Sequence, residues 1–259
     1  MLSIEEIKKQ YPSDIHKFER GLLREYLQFL ILEIIFSSNI STKLSFLGGT
    51  CLRIVHGIKR FSEDLDFDNK ELSSKEFTSL AKKIEQELQR QGFDVEIKVT
   101  EKKAIHCHVK FSNILFENKL SDIKTEKIDI QIDTFDQGYE YESELYLLNK
   151  FNVFKQIRVT PKEIILSQKL WTITQRNRAR GRDFYDILYL LQSTKPDMGF
   201  LNIKFGTSNW DEARENILEG IKEVDLESMV KDVQPFLLDI EEGKKIKLFR
   251  DYLKQIEFD

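Results

Sequence analysis

The segment Asp64-Leu65-Asp66-Phe67-Asp68 alternates strictly between carboxylates and apolar side chains, and it restricts the fold more tightly than any other stretch of the chain. A period of two predicts a β-strand with one apolar face and one acidic face. Just upstream, Leu44 to Leu47 reads as a short strand stopped by Gly48-Gly49, and Thr50 to His56 reads as a helix ended by Gly57. The pair forms a strand, glycine turn, helix unit followed by an acidic strand.

The flanking pattern places this unit in a larger sheet. Ser3 and Glu6 form a capping box for a short first helix, and a longer helix after Pro12 carries Phe18, Leu22, Phe29 and Phe36. Ser73 and Glu76 cap an amphipathic helix with Phe77, Leu80, Ala81, Ile84 and Leu88 on one side and Gly92 beyond its end. Three alternating segments follow, carrying Phe93/Val95/Ile97/Val99, Ile105/Cys107/Val109/Phe111 and Ile128/Ile130/Ile132. One helix among successive strands predicts an α+β fold with a mixed sheet. Beyond Pro161 the pattern is helical: Lys162 to about Arg178, Asp183 to Gln192, and further helices from about Ser208. The expected division is therefore a sheet-bearing core over residues 1–155 and a helical region over 156–259.

Composition removes several function classes. With 259 residues, 41% hydrophobic and 32% charged, the chain can bury a core without staples. Cys51 and Cys107 form no CxxC pair, which fits a reducing cytoplasm. No apolar run is long enough to span a bilayer, and Met1 to Gln10 is too polar for a secretory signal, so a cytoplasmic protein without membrane partners is expected. The net charge of −4 excludes a globally basic nucleic-acid binder. A local RNA surface remains available at Arg176, Arg178 and Arg180, with Arg182 beside them, because phosphate contacts need only clustered cations.

Asp64 and Asp66, at i and i+2 on a strand, point the same way with Cα atoms roughly 6.6 Å apart. Such carboxylates can share hard divalent cations that steady the attacking and leaving oxygens of an in-line phosphoryl displacement. Asp129 is the expected third carboxylate, on a later strand with Ile128 and Ile130 on the opposite face; Asp133 is the alternative. The glycine turn lets backbone N–H groups approach an anion such as a triphosphate. His106 and His108 read as surface strand residues rather than a metal pair.

The stretches Phe46-Leu47-Gly48-Gly49-Thr50-Cys51-Leu52-Arg53 and Arg60-Phe61-Ser62-Glu63-Asp64-Leu65-Asp66-Phe67 resemble the first motif of the AbiEii/AbiGii-type nucleotidyltransferase toxins. Lys169-Leu170-Trp171-Thr172-Ile173-Thr174-Gln175-Arg176 and Arg182-Asp183-Phe184-Tyr185-Asp186-Ile187 resemble that family's later motifs, so the likeness runs over residues 46–190. The resemblance implies a polymerase-β-like nucleotidyltransferase that moves a nucleotide from an NTP with two Mg2+ ions, Mn2+ being a substitute. It implies a toxin of a toxin–antitoxin or phage-defence pair, with a cognate antitoxin and, as in characterised relatives, the 3′ end of tRNA as acceptor. It assigns Asp64 and Asp66 to metal, with Asp129 as the third carboxylate expected from the strand pattern, and Gly48, Gly49, Thr50, Arg60, Ser62 and Lys169 to nucleotide. It adds Lys169, Asp183 and Asp186 to the catalytic set. The family's turn is commonly Gly-Ser; with Gly-Gly here, phosphate contact falls to Thr50 or to backbone amides.

The residues after the turn support parts of this assignment independently. Leu166, Leu170 and Ile173 form the apolar face of the Lys162 helix and leave Lys169 at its edge, where its ammonium can reach over a cleft. Asp183 and Asp186 share a helical side, and either can orient Lys169. Two other functions use the same residues: a nucleotide-binding interaction protein without turnover, and a DxD glycosyltransferase using a nucleotide sugar. The first predicts an unchanged effect when Asp64 is neutralised. The second predicts protection against heat by a UDP- or GDP-sugar instead of an NTP.

Overall fold

The structure is a computed structural model that describes residues 1–101 and 105–258. In chain order the elements are α1 (Ile4–Lys8), α2 (Glu19–Phe36), β1 (Leu44–Leu47), α3 (Gly48–Ile54), β2 (Leu65–Asn69), α4 (Ser74–Arg90), β3 (Val95–Glu101) and β4 (Ile105–Phe111). Then come α5 (Ile114–Glu117), β5 (Ile128–Phe135), β6 (Glu144–Lys150), β7 (Val153–Val159), α6 (Lys162–Gln175), α7 (Gly181–Leu190), α8 (Met198–Phe205), α9 (Trp210–Gly220), α10 (Leu226–Val233) and α11 (Phe249–Gln255). Among the described residues no helix is long and apolar enough to cross a membrane.

Contacts divide the chain into two compact units. The first comprises Met1–Cys51, Phe61–Gly138 and Ser143–Val159; the second comprises Leu52–Arg60, Tyr139–Glu142 and Thr160–Asp259. A linear division at residue 155 would fall inside β7, which belongs to the first unit through Val159, and the end of α3 with its following loop and the tetrapeptide at 139–142 group with the helical unit.

The first unit holds a seven-stranded mixed sheet in the order β3-β4-β5-β2-β1-β7-β6. β2 pairs antiparallel with β1 and parallel with β5, so the acidic strand is central. Leu65 and Phe67 lie in the core at 0% and 2% exposure as expected and Asp66 is half-buried, but Asp68 is buried at 3%, so the alternation of burial breaks at the third acid. The helices α2 and α4 pack on one face of the sheet, α2 against β5 and β7 and α4 against β3 and β4. α2 is apolar almost all round, with Leu22, Leu23, Leu27, Ile31 and Ile35 fully buried; such a helix belongs inside. α4 keeps a single apolar stripe, Phe77, Leu80, Ala81, Ile84 and Leu88, and both of its expected capping residues, Ser73 and Glu76, are in place. The capping box at Ser3 and Glu6 is formed as well.

The β6–β7 hairpin has no sequence signal of its own, and its turn explains why. Phe151 and Asn152 occupy the two turn positions with φ of 57° and 67°. Two positive φ values are what a tight hairpin needs, but glycine or asparagine usually supplies them and a bulky side chain rarely does. Phe151 compensates by burial: its ring centroid lies 5.8, 5.4 and 5.2 Å from those of Tyr11, Tyr26 and Phe29.

In the second unit α6 and α7 pack together and α7 also packs on α10. The expected face of α6, Leu166, Leu170 and Ile173, is buried. α6 ends at Gln175, short of Arg178, and α8 joins the helices expected after residue 208. Gly181 opens α7 where a Cβ would stand 2.9 Å from the Met229 carbonyl carbon and 3.1 Å from the Val233 nitrogen of α10. Its own N–H donates to Asp232 Oδ2 at 2.8 Å.

Candidate active site

Two groups of chemistry-bearing residues emerge, one in each unit. In the first, a row of residues crosses four adjacent strands. His106 on β4 stands opposite Asp133 on β5, Asp133 opposite Asp66 on β2, and Asp66 opposite Leu47 on β1. Residues in register share a face, and this is the face opposite the apolar one formed by Ile128, Ile130 and Ile132. Gly48 follows Leu47 with φ of +79°, the left-handed region that glycine tolerates. A Cβ there would stand 2.8 Å from both Cβ and Cγ of Asp66, so the acid occupies the space a side chain would fill.

The loop into β2 is fixed by groups on either side. The Thr50 hydroxyl donates to the Asp64 carbonyl, and the Gln28 side-chain amide donates to the carbonyls of Ser62 and Glu63 at 3.1 and 3.0 Å. Thr50 is fully buried. Its hydroxyl is therefore engaged in setting Asp64. The turn itself opens α3 at Gly48, two residues before the expected start.

Strand register changes the choice of third carboxylate. Asp133 is the direct neighbour of Asp66, whereas Asp129 lies four residues back, roughly 13 Å along the strand. Asp129 stands opposite Lys110 on β4, its carboxylate meets His108 Nδ1 at 3.1 Å, and its carbonyl accepts from Arg24 at 2.6 Å. Asp129, the expected third carboxylate, thus lies away from Asp66 along β5, and Asp133, the alternative, is the carboxylate in register with it. The histidines read as plain surface residues are partners of these acids: His106 Nδ1 lies 2.6 Å from Asp133 Oδ1. Among the described residues no three His, Cys, Asp or Glu side chains are gathered into a ready-made metal cage.

In the second unit, Arg60, Lys169, Asp183 and Asp186 form a compact ion-pair cluster. Arg60 is 2% exposed and donates from Nε and Nη2 to the two oxygens of Asp186, both at 2.6 Å. Lys169 Nζ reaches Asp186 Oδ2 at 2.7 Å and Asp183 Oδ1 at 3.2 Å. Arg176 pairs with Asp183 Oδ2 at 3.3 Å. Burial disfavours the charge on Asp186, yet Arg60 and Lys169 outweigh it and hold the carboxyl below its ordinary value. Burial likewise works against the Lys169 ammonium, and Asp186 and Asp183 override it and raise its pKa. Arg60, expected to face nucleotide, holds Asp186 with two parallel hydrogen bonds, and a bidentate carboxylate satisfies a buried guanidinium that solvent cannot reach. Lys169, expected to project from the edge of its helix, is turned onto the two acids with its side chain 12% exposed. Arg178 and Arg180 are exposed, in the segment between α6 and α7.

Comparison with known proteins sets these groups in a family. Among solved structures, a candidate nucleotidyltransferase from H. pylori matches at a TM-score of 0.51 and 18% identity, covering 93% of this chain and 99% of that one. The JHP933 protein of Helicobacter pylori matches at 0.49 and 18%, covering 92% and 94%. An antigenic nucleotidyltransferase-like protein from Paracoccidioides brasiliensis matches at 0.47 and 16%, covering 81% and 93%. At these identities the likeness concerns the fold. No curated protein sequence matches the chain. The family described as "Nucleotidyl transferase AbiEii toxin, Type IV TA system" matches residues 31–255, a span that takes in both groups. With the glycine turn, the acidic strand and the lysine–aspartate helices inside that span, the chain belongs to the AbiEii family of nucleotidyltransferase toxins.

Proposed function

We propose that the chain transfers NMP from an NTP to the 3′ end of tRNA in a divalent-metal-dependent reaction, the terminal hydroxyl bonding to the α-phosphorus as pyrophosphate leaves, and that this transfer is its toxic activity. The observation that carries the reading is the in-register pair Asp66–Asp133 beside the Gly48 turn. Asp64, Asp66 and Asp133 present only carboxylate oxygens, the donor type that Mg2+ selects. The close seat of Asp66 against Gly48 fits a carboxylate whose position must be fixed. Two Mg2+ ions held by these acids would neutralise triphosphate charge and favour ionisation of the acceptor hydroxyl; Mn2+ would substitute.

The chain's own groups supply orientation and charge. Thr50 and Gln28 hold the backbone from Ser62 to Asp64, fixing the first acid. The N–H groups of Gly48 and Gly49 are suited to phosphate oxygens, since glycine lets an anion approach the backbone. Lys169 and Asp186 act as a pair: Asp186 keeps the ammonium charged and limits its rotation. Arg178 and Arg180 are suited to an RNA backbone. A cognate antitoxin and a role in phage defence accord with the type IV family.

The acceptor is tested with α-labelled NTPs, Mg2+ and purified tRNA, intact or with its terminal 2′,3′-diol cleaved by periodate. The reading predicts label in intact tRNA alone. Label in periodate-treated tRNA, or in protein, would move the acceptor elsewhere.

A further inference from the structure

Asp133 is gripped from two directions. His106 Nδ1 meets Oδ1 at 2.6 Å, and the Gln131 amide nitrogen meets Oδ1 at 2.7 Å and Oδ2 at 2.9 Å. Gln131 Nε2 also lies 3.4 Å from His106 Nδ1, so the three side chains close a small triangle. A carboxylate has about four lone-pair directions. Among the described residues Oδ1 receives both donors, while Oδ2 receives only the longer Gln131 contact. This asymmetry fixes the carboxylate plane and leaves Oδ2 the oxygen with spare capacity.

We propose that His106, assisted by Gln131, is a positioning residue that holds Asp133 in the orientation needed to bind a divalent cation. The inference rests on the reading of Asp133 as the third carboxylate. The geometry distinguishes His106 from His108, which stands one pair further along the same strand face and meets Asp129 instead. A ligating carboxylate that is hydrogen-bonded by a neighbour loses less freedom on binding metal, and outer partners of this kind are worth about 10–100-fold in metal affinity. A purely structural role, the cross-strand pairing that any His–Asp couple provides to a sheet, would leave metal affinity unchanged.

The experiment titrates the purified full chain with Mn2+ alone and reads the free ion by electron paramagnetic resonance. Circular dichroism confirms folding of each variant. His106→Ala is expected to weaken Mn2+ binding by about 10–100-fold, His106→Asn to recover most of the loss by restoring a donor, and His108→Ala to bind as wild type. Gln131→Leu, which removes the second donor, supplies an independent arm if His106→Ala does not fold, and it too is expected to weaken binding. If His106→Ala and Gln131→Leu bind Mn2+ as wild type while Asp133→Asn does not, the positioning role is overturned and the carboxylate reading stands. If Asp133→Asn also binds as wild type, or wild type binds no Mn2+, both fall.

Discussion

Gly48 and Asp66 interlock: the acid's carboxylate covers the bare face of the glycine Cα, where a Cβ would stand 2.8 Å from Asp66 Cβ and Cγ. The glycine turn and the acidic strand are therefore one structural unit across the β1–β2 pair, where Leu47 stands opposite Asp66. The glycine has two reasons to be there, its φ of +79° and the acid beside it.

Gly48→Ala tests this interlock. The left-handed backbone alone costs about 1–2 kcal/mol for a non-glycine residue, and the added methyl must also displace Asp66. The variant is expected to lose transferase activity almost completely while its melting temperature falls by only a few degrees, about 2–4 °C per kcal/mol for a domain of this size. Thermal melts and labelled-NTP transfer check the two parts. Full activity with a lowered melting temperature would separate the glycine from the function of Asp66.

Asp133→Asn and Asp129→Asn discriminate the two candidate third carboxylates. Transfer activity is expected to vanish in the first and to stay near wild type in the second, because about 13 Å of strand separates Asp129 from the row containing Asp66. Steady-state rates with Mg2+ held in excess make the comparison.

The cluster around Asp186 predicts a stability effect of a different size. Asp186→Ala leaves Arg60 buried at 2% exposure without its bidentate partner, and breaking a buried pair in this way costs about 3–5 kcal/mol. Urea unfolding should show that loss. Arg60→Lys keeps the charge but cannot reproduce two parallel hydrogen bonds, so it should fall between wild type and Asp186→Ala. A destabilisation by Asp186→Ala no larger than that of an exposed ion pair would contradict the geometry.

His56 gives the second unit a pH dependence. Burial, with Lys162 adding to it and Glu163 opposing, lowers its pKa to about 4 from the ordinary value near 6.5. The unfolded chain takes up this proton first as pH falls, so the associated stability is present above about pH 6.5 and is lost progressively toward pH 4. Thermal melts between pH 7.5 and 4.5 should show a smaller decline in His56→Gln than in wild type. Equal declines would remove His56 from the account.

The legible parts of this fold were those with local signals. The Ser3 and Ser73 capping boxes, the α4 stripe and the strict alternation in β2 each depend on residues a few positions apart. The β6–β7 hairpin escaped because Phe151 takes a turn position through its aromatic contacts with α2 and Tyr11, which are distant in sequence. At the candidate site the acids Asp64 and Asp66 and the glycine turn were readable from spacing. Which of Asp129 and Asp133 stands beside Asp66 was not, since both lie on the same face of β5 and only pairing with β2 separates them. The pairing of Arg60 with Asp186 spans 126 positions, a separation at which residue types alone specify no partner.

The most direct measurement compares wild type with an Asp64→Ala, Asp66→Ala double variant, following transfer from each of four α-labelled NTPs to total RNA with Mg2+ present and with it chelated. Label is expected in a tRNA-sized band for the wild type with Mg2+ and nowhere else. Equal labelling by the double variant, or labelling that persists after chelation, would contradict a metal-dependent transfer centred on Asp64 and Asp66.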